Sequence, residues 1–310
     1  MSYEHVPVLL DACIEALAIR PDGTYVDGTV GGGGHAFEIA KRLSSGKLIG
    51  IDRDLRAIDR ARRRLEPFAD RVTLVHGNFR DLGEILDKLD VGLADGMLFD
   101  LGASSPQFDE TERGFSYRRE APLDMRMDES ETLTAYEIVN AWPQEELRRI
   151  LREYGEERYA GTIAAAIARR RASHPIETTT QLAELIKSAM PSAALREKQH
   201  PAKRSFQAIR IAVNGELEAL SAVLDTAADR LRPGGRLAVI SFHSLEDRLV
   251  KEAFAARERG CTCPRDFPVC VCGFQQTLKV ITRKPITAAE SETADNPRAR
   301  SAKLRVAQRV

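Results

Sequence analysis

The segment Tyr25-Val26-Asp27-Gly28-Thr29-Val30-Gly31-Gly32-Gly33-Gly34-His35 joins an apolar run, a carboxylate at its end and a glycine cluster that opens a helix. Glycines let a backbone turn tightly and approach a ligand closely. Asp52 closes the next apolar run, where an acid can accept hydrogen bonds from both hydroxyls of a ribose. Loop and acid in this order favour a nucleotide-like cofactor over a bare turn. Asp27 narrows the choice. A pyrophosphate at the helix N-terminus would be repelled by it, whereas the ammonium of a methionine is suited by it. Phe79, after the third run, offers a ring to an adenine, and Asp100 closes the fourth run. The set suits one ligand that carries an ammonium group, a ribose and an adenine.

A second constellation is Cys261-Thr-Cys263 with Cys270-Val-Cys272, in a loop marked by Pro264, Pro268 and Gly273. Four thiolates suit a tetrahedral zinc. The C-x-C spacing also suits an ordinary or redox-sensitive cysteine loop, and both readings stay open. Cys13 reads as a small core residue.

The elements that must carry these residues follow from periodicity. The runs Thr24–Asp27, Lys47–Asp52, Val72–His76 and Gly96–Leu101 alternate with helical stretches at Ala36–Leu43, Leu55–Leu65 and Leu82–Leu89. This rhythm predicts a parallel sheet with helices on both faces. From about Phe108 to Ser205 no strand is expected. Apolar residues recur there at helical spacing, as in Leu147, Ile150, Leu151, Tyr154 and in Leu182, Leu185, Ile186, Met190. A long helix over Ile209–Leu231, ended by Arg-Pro-Gly-Gly, and strands at Arg236–Phe242, Leu278–Thr282 and Leu304–Val310 complete the pattern. The expected architecture is an α/β Rossmann-like class I methyltransferase sheet, residues 1–107 and 206–310, with an inserted all-helical domain for substrate recognition, residues 108–205.

Composition limits the function classes. The chain has 310 residues, with 46 Lys+Arg against 46 Asp+Glu, so nucleic-acid binding must come from local patches. No apolar run approaches the ~18–20 residues of a membrane span. The N-terminal stretch does not read as a signal peptide. Five cysteines do not make a disulfide scaffold, and the cytoplasm is the expected compartment.

Longer motifs go further. DLGASSPQFD (Asp100–Asp109), ERGFSYRREAPLDMRMD (Glu112–Asp128), YGEERYA (Tyr154–Ala160), FQAIRIAVNGEL (Phe206–Leu217), SFHSLEDR (Ser241–Arg248) and NPRARSAKLR (Asn296–Arg305) occur in order, with HVPVLL (His5–Leu10) before them. Together they resemble the bacterial ribosomal RNA small subunit methyltransferase H family, the 16S rRNA cytosine-N4 methyltransferases, over nearly the whole chain. The resemblance implies S-adenosylmethionine as methyl donor and the N4 amine of one cytosine, cytosine 1402, as acceptor. It implies cofactor contacts at Gly33, Gly34, His35, Asp52, Phe79, Asp100 and Gln107. The expected partner is 16S rRNA, in the assembled small ribosomal subunit, with a homodimer as a further expectation and no membrane.

Methyl transfer to an exocyclic amine requires in-line alignment and acceptors that localise the nitrogen lone pair. Asp100, or the Ser104 and Ser105 hydroxyls, are the candidates to hold the amine, although serines here equally suit a turn cap. The Asp-Leu-Gly-Ala-Ser-Ser-Pro run departs from the Pro-Pro-aromatic motif common in amine methyltransferases. Phe108, Phe115 and Tyr117 could stack on an extruded base or simply pack the insertion, and packing is favoured for each. His243 could touch RNA, although a structural histidine is the better reading. Arg196, Lys198, Lys203, Arg204 and Arg210 form the preferred phosphate patch. Arg298, Arg300, Lys303, Arg305 and Arg309 form a second. The arginines of Leu55–Leu65 read as a solvated helix face. Two other classes remain as contrasts: a nicotinamide-dependent oxidoreductase, disfavoured by Asp27, and a noncatalytic RNA-binding module, disfavoured by the intact cofactor run.

Overall fold

The structure, a computed structural model, describes residues 7–197, 199–261, 263 and 271–310. The chain opens with helix α1 (Leu10–Leu17), then alternates β1 (Thr24–Asp27), α2 (Gly34–Ala40), β2 (Lys47–Asp52), α3 (Leu55–Arg64), β3 (Val72–His76), α4 (Leu82–Lys88) and β4 (Ala94–Asp100). Six helices follow: α5 (Ser105–Asp109), α6 (Ala135–Ala141), α7 (Gln144–Glu153), α8 (Ala160–Arg171), α9 (Thr179–Ala189) and α10 (Lys203–Asn214). The alternation then resumes with α11 (Glu216–Asp229), β5 (Leu231–Ser241), α12 (Ser244–Arg259), β6 (Leu278–Val280), α13 (Glu290–Asp295) and β7 (Lys303–Arg309). Two compact units result, Met1–Gly102 with Leu217–Val310, and Ala103–Glu216.

The first unit carries one seven-stranded sheet in the order β3-β2-β1-β4-β5-β7-β6. The strands β1 to β5 pair in parallel. β7 runs antiparallel to both β5 and β6. This is the expected Rossmann-like class I sheet with its C-terminal antiparallel pair. Both faces are covered, so the strands read as apolar runs rather than as alternation with polar residues. Leu48, Leu98, Ala238, Ile240 and Leu304 point into one core. Their neighbours Ile49, Met97, Phe99, Val239 and Ala307 point into the other. The chain order reverses between β1 and β4, which makes the carboxyl ends of those strands the natural crevice for a ligand.

The second unit has its own core. Leu147, Ile150, Leu151, Ile163, Ile167, Leu182, Ile186 and Ile209 are all buried there. Among its described residues there is no strand, only one isolated bridge between Pro122 and Thr178. The buried faces of α7 and α9 are those that the apolar spacing picked out.

Three expectations are corrected. The helix expected over Ile209–Leu231 is two helices, broken at Gly215, whose φ of 56° lies in the left-handed region that glycine adopts without strain. The Arg-Pro-Gly-Gly run does not end a helix but lies inside β5, its first three residues exposed and Gly235 buried, where the pairing with β4 is irregular between Ala94 and Gly96. The helix expected at Ala36–Leu43 starts earlier, at Gly34, and ends at Ala40. Among the described residues no helix is long and apolar enough to cross a membrane.

Candidate functional site

Three carboxylates mark the carboxyl ends of β1, β2 and β4. Asp27 is 1% exposed, and its Oδ1 accepts the Thr29 amide at 3.2 Å. Its Oδ2 is buried with no hydrogen-bond partner among the described residues. Burial, reinforced by the charge of Asp52, pushes the Asp27 carboxyl up to about 7, against the pull of the Thr29 amide. Asp52 holds the glycine loop: its Oδ2 accepts the Gly31 amide at 2.8 Å and its Oδ1 the Asp54 amide at 2.9 Å. Burial raises its carboxyl to about 6, with those two amides opposing. Each Asp52 oxygen keeps a second lone pair for a ligand hydroxyl.

Asp100 completes the group. Its amide donates to the Thr29 hydroxyl at 2.6 Å, which ties the end of β4 to the β1 loop. The side chain is 27% exposed, yet Oδ1 is buried without a partner among the described residues. Burial, then the charges of Asp27 and Glu246, push this carboxyl up to about 8. Ionising these acids is costly because they crowd one another in a low-dielectric site. A cationic ligand removes that cost.

The loop fits such a ligand. Gly33 has a φ of 80° and caps α2, and a Cβ on Gly34 would overlap Pro7. The backbone there tolerates no side chain. His35 is buried in α2, with Nε2 3.0 Å from the Val8 carbonyl. A carbonyl only accepts, so Nε2 carries the proton. Nδ1 stands 4.0 Å from Asp100 Oδ2. Of the motif HVPVLL, His5 and Val6 lie outside the described residues. Phe79 follows β3, half-buried, its ring edge-on to Phe99 at 5.8 Å. The first unit thus brings Gly33, Gly34, His35, Asp52 and Asp100 to its parallel-strand ends, with Phe79 at the end of β3.

Glu246 is a residue that the sequence reading missed. It is 2% exposed and accepts the Phe242 amide at 2.8 Å. Its Oε1 is 3.1 Å from His243 Nε2, while His243 caps α12. The spacing His-x-x-Glu at a helix start is a capping-box signal that could have found it. His243 is therefore a structural histidine.

Ser104, Ser105 and Gln107 belong to the second unit, four to seven residues after Asp100 in the chain. Ser104 is the N-cap of α5, and Gln107, at its third position, accepts the Ser104 amide at 2.9 Å. Ser105 is the first residue of that helix. The turn-capping alternative therefore describes Ser104. Phe115 is buried and meets Phe108 edge-on at 6.0 Å, as packing requires. Tyr117 instead stacks on His200, with centroids 4.3 Å apart and planes at 14°.

The basic patches are partly spent. Arg210 forms a bidentate pair with Glu216 at 2.8 and 2.9 Å, both nearly buried. Lys303 and Arg305 both bind Asp247, and Arg309 lies 3.7 Å from Asp229. These four side chains are engaged by acids of the chain itself. Lys198 lies outside the described residues. Cys13 is fully buried beside Asp100 and Asp27, and burial raises its thiol. Cys261, Cys263 and Cys272 gather with their sulfurs within 4.8 Å of one another, and Cys270 lies outside the described residues.

The family model described as the MraW methylase family matches residues 2–310 of this chain. A curated relative from Symbiobacterium thermophilum, named Ribosomal RNA small subunit methyltransferase H, is 58% identical over 306 residues, covering 98% of this chain and 96% of that protein. One of the same name from Heliobacterium mobile is 57% identical over 312 residues, covering 100% of both. Among solved structures, a putative rRNA methylase from Clostridium thermocellum aligns with 99% of this chain and 100% of its own, at 13% identity and a TM-score of 0.47.

Proposed function

The chain belongs to the MraW methylase family, and from that membership we propose that it methylates the N4 amine of one cytosine, cytosine 1402, in small-subunit 16S rRNA. The observation that supports the donor site is the trio Asp27, Asp52 and Asp100 around the glycine loop, with two buried oxygens left unpartnered. S-adenosylmethionine, when bound, supplies a methyl group activated by the positive charge on its sulfur. Asp27 offers its unpaired Oδ2 to the ammonium group, and Asp52 accepts from the ribose hydroxyls. The Phe79 ring borders the adenine, and the side-chain-free backbone at Gly33 and Gly34 lets the donor lie against the loop. His35 is held by the Val8 carbonyl and steadies the wall beside Asp100. Gln107 is a further donor contact in this reading.

The amine of cytosine is a weak nucleophile because its lone pair is shared with the ring. Asp100, through its Oδ1, accepts a hydrogen bond from the amine and turns the lone pair toward the methyl group. Ser104 and Ser105 are the other candidate acceptors for the second proton. The product ammonium is acidic and loses its proton without a strong base. The helical unit, residues 108–205 in this reading, recognises the substrate. The reading extends to the assembled subunit as the working substrate, in the cytoplasm, and to a homodimer, which sedimentation of the purified chain would read out.

The test incubates the protein with labelled S-adenosylmethionine and small subunits lacking the modification, then identifies the labelled nucleoside by mass spectrometry. N4-methylcytidine at one position is expected. Donor binding without any transfer to RNA would overturn the substrate while keeping the site.

A specific observation also favours zinc at the cysteine loop. The Cys261 and Cys272 sulfurs are 3.7 Å apart, too far for a disulfide. That distance is the edge of a tetrahedron with metal–sulfur bonds of about 2.3 Å. The Val271 amide donates to Cys263 Sγ at 3.3 Å, the kind of contact that orients a ligand sulfur. Elemental analysis of protein purified without chelator should find close to one zinc per chain, and Cys261→Ser should lower it. Metal-free protein with the same melting temperature as the native preparation would remove this reading.

A further inference from the structure

The mechanism leaves the Tyr117–His200 stack unused. Tyr117 meets buried Phe206 at 5.5 Å with the ring planes near perpendicular, which anchors it to the helical core. His200 covers one face of the Tyr117 ring and is itself exposed. The Ala202 amide donates to His200 Nδ1 at 3.2 Å, which leaves the ring proton on Nε2 as a donor. Burial, and after it the charges of Arg118 and Lys187, hold the pKa of this imidazole below the ordinary value.

Lys203 follows in the same turn, its amide donating to the His200 carbonyl at 3.0 Å. Arg118, Lys187 and Lys203 are exposed and make no ion pair among the described residues, whereas Arg210, Lys303 and Arg305 face acids. Lys203 and Arg204 also occupy the first turn of α10, which holds no acid. Cations at the positive end of a helix are electrostatically unfavourable. A stack that merely stapled the loop to α10 would need none of this charge.

We propose that the Tyr117–His200 stack with Arg118, Lys187 and Lys203 is a docking surface for single-stranded RNA of the substrate. An unpaired base lies on the open face of His200 and the flanking phosphates meet the three cations. Aromatic platforms interleaved with cations are how proteins hold unpaired nucleotides. The inference rests on the ribosomal RNA reading above and adds a contact surface to it.

The test uses the full chain and three variants, His200→Ala, His200→Phe and the pair Arg118→Glu with Lys187→Glu, all at exposed positions. Filter binding to small subunits and to 16S rRNA, without methyl donor, is measured beside donor affinity by calorimetry. His200→Ala should weaken RNA binding about tenfold, the usual scale for losing one base stack. His200→Phe, which keeps the stack, should bind close to wild type, and the double charge reversal should bind worst. Donor affinity should not change in any of them. Wild-type methylation with both His200→Ala and the charge reversal within twofold of wild type on RNA would overturn the surface alone. A wild-type protein that neither binds nor methylates rRNA would overturn the underlying reading with it. Crosslinks from this surface to a ribosomal protein instead of rRNA would replace RNA by an acidic protein partner and so overturn the proposal.

Discussion

At the scale of single residues, the site is a set of acids held short of ionisation. The unfolded chain releases protons from Asp27, Asp52 and Asp100 near pH 4, whereas the donor-free fold keeps them to about 7, about 6 and about 8. The folded state then binds more protons than the unfolded one across that window. Stability from these groups is present below about pH 4 and is lost as pH rises through about 8. The donor-free protein should therefore melt at a lower temperature at about pH 8.5 than at about pH 6, as far as these carboxyls decide it. A cationic donor favours the ionised forms, so binding near neutral pH should expel protons. Calorimetry in buffers of different ionisation enthalpy would show it, and the release should vanish above about pH 9.5. Asp100→Asn keeps the shape and removes the charge. It should stabilise the donor-free fold and lower methyl transfer by about a hundredfold, the order of an electrostatic contact to the reacting group. Equal transfer rates would free Asp100 of any role. The acids were legible because each ends an apolar run. Glu246 was not, because its importance lies in a cap and in its charge reaching Asp100, neither of which periodicity registers.

At the scale of elements, strands and helices were read from apolar spacing, and misreadings came where local chemistry interrupts it. Asn214-Gly215 is a turn signal inside an unbroken helical pattern, and the pattern hid it. The break is held by Gly215 and by the Arg210–Glu216 pair across it. Gly215→Ala forces a left-handed backbone on a residue with a Cβ and should cost about 1 kcal/mol of stability. Glu216→Ala takes the bidentate carboxylate away from a nearly buried guanidinium and should cost about 3 kcal/mol, the larger loss of the two. Chemical denaturation of the two variants would rank them, and the reverse order would mean that the pair is not what fixes the break. Asn214 adds to the cost of disturbing this region, since its side chain bonds the Met125 carbonyl and the Met127 amide. The fold of the Ala-Pro-Leu-Asp-Met-Arg-Met loop around it was not legible, because those bonds join residues almost ninety positions apart.

At the scale of the whole molecule, a net charge of zero conceals which cations are already engaged by acids. Lys303, Arg305, Arg309 and Arg210 face acids, which composition and clustering alone did not reveal. If three cations carry the phosphate contacts, the slope of log affinity for rRNA against log salt should be about −2 to −3, far shallower than for strongly basic binders. A slope near −8 would mean that a different and larger surface meets the RNA. The two-unit division was legible as a loss of the strand rhythm, while the residues that join the units, around Gly102 and Glu216, follow from packing that spacing does not encode.

The order of the sheet has a consequence for biosynthesis. β6 is made before β7, yet β7 lies between β5 and β6 and is the strand that both pair with. Until residues 303–309 arrive, β5 offers a bare hydrogen-bonding edge and β6 has no neighbour to join. Such edges recruit other chains. A nascent chain halted in this interval holds Asp27, Asp52 and Asp100 complete but its sheet open. Mistakes in translation late in the message would therefore yield a sticky, degradable product rather than a slightly weakened enzyme.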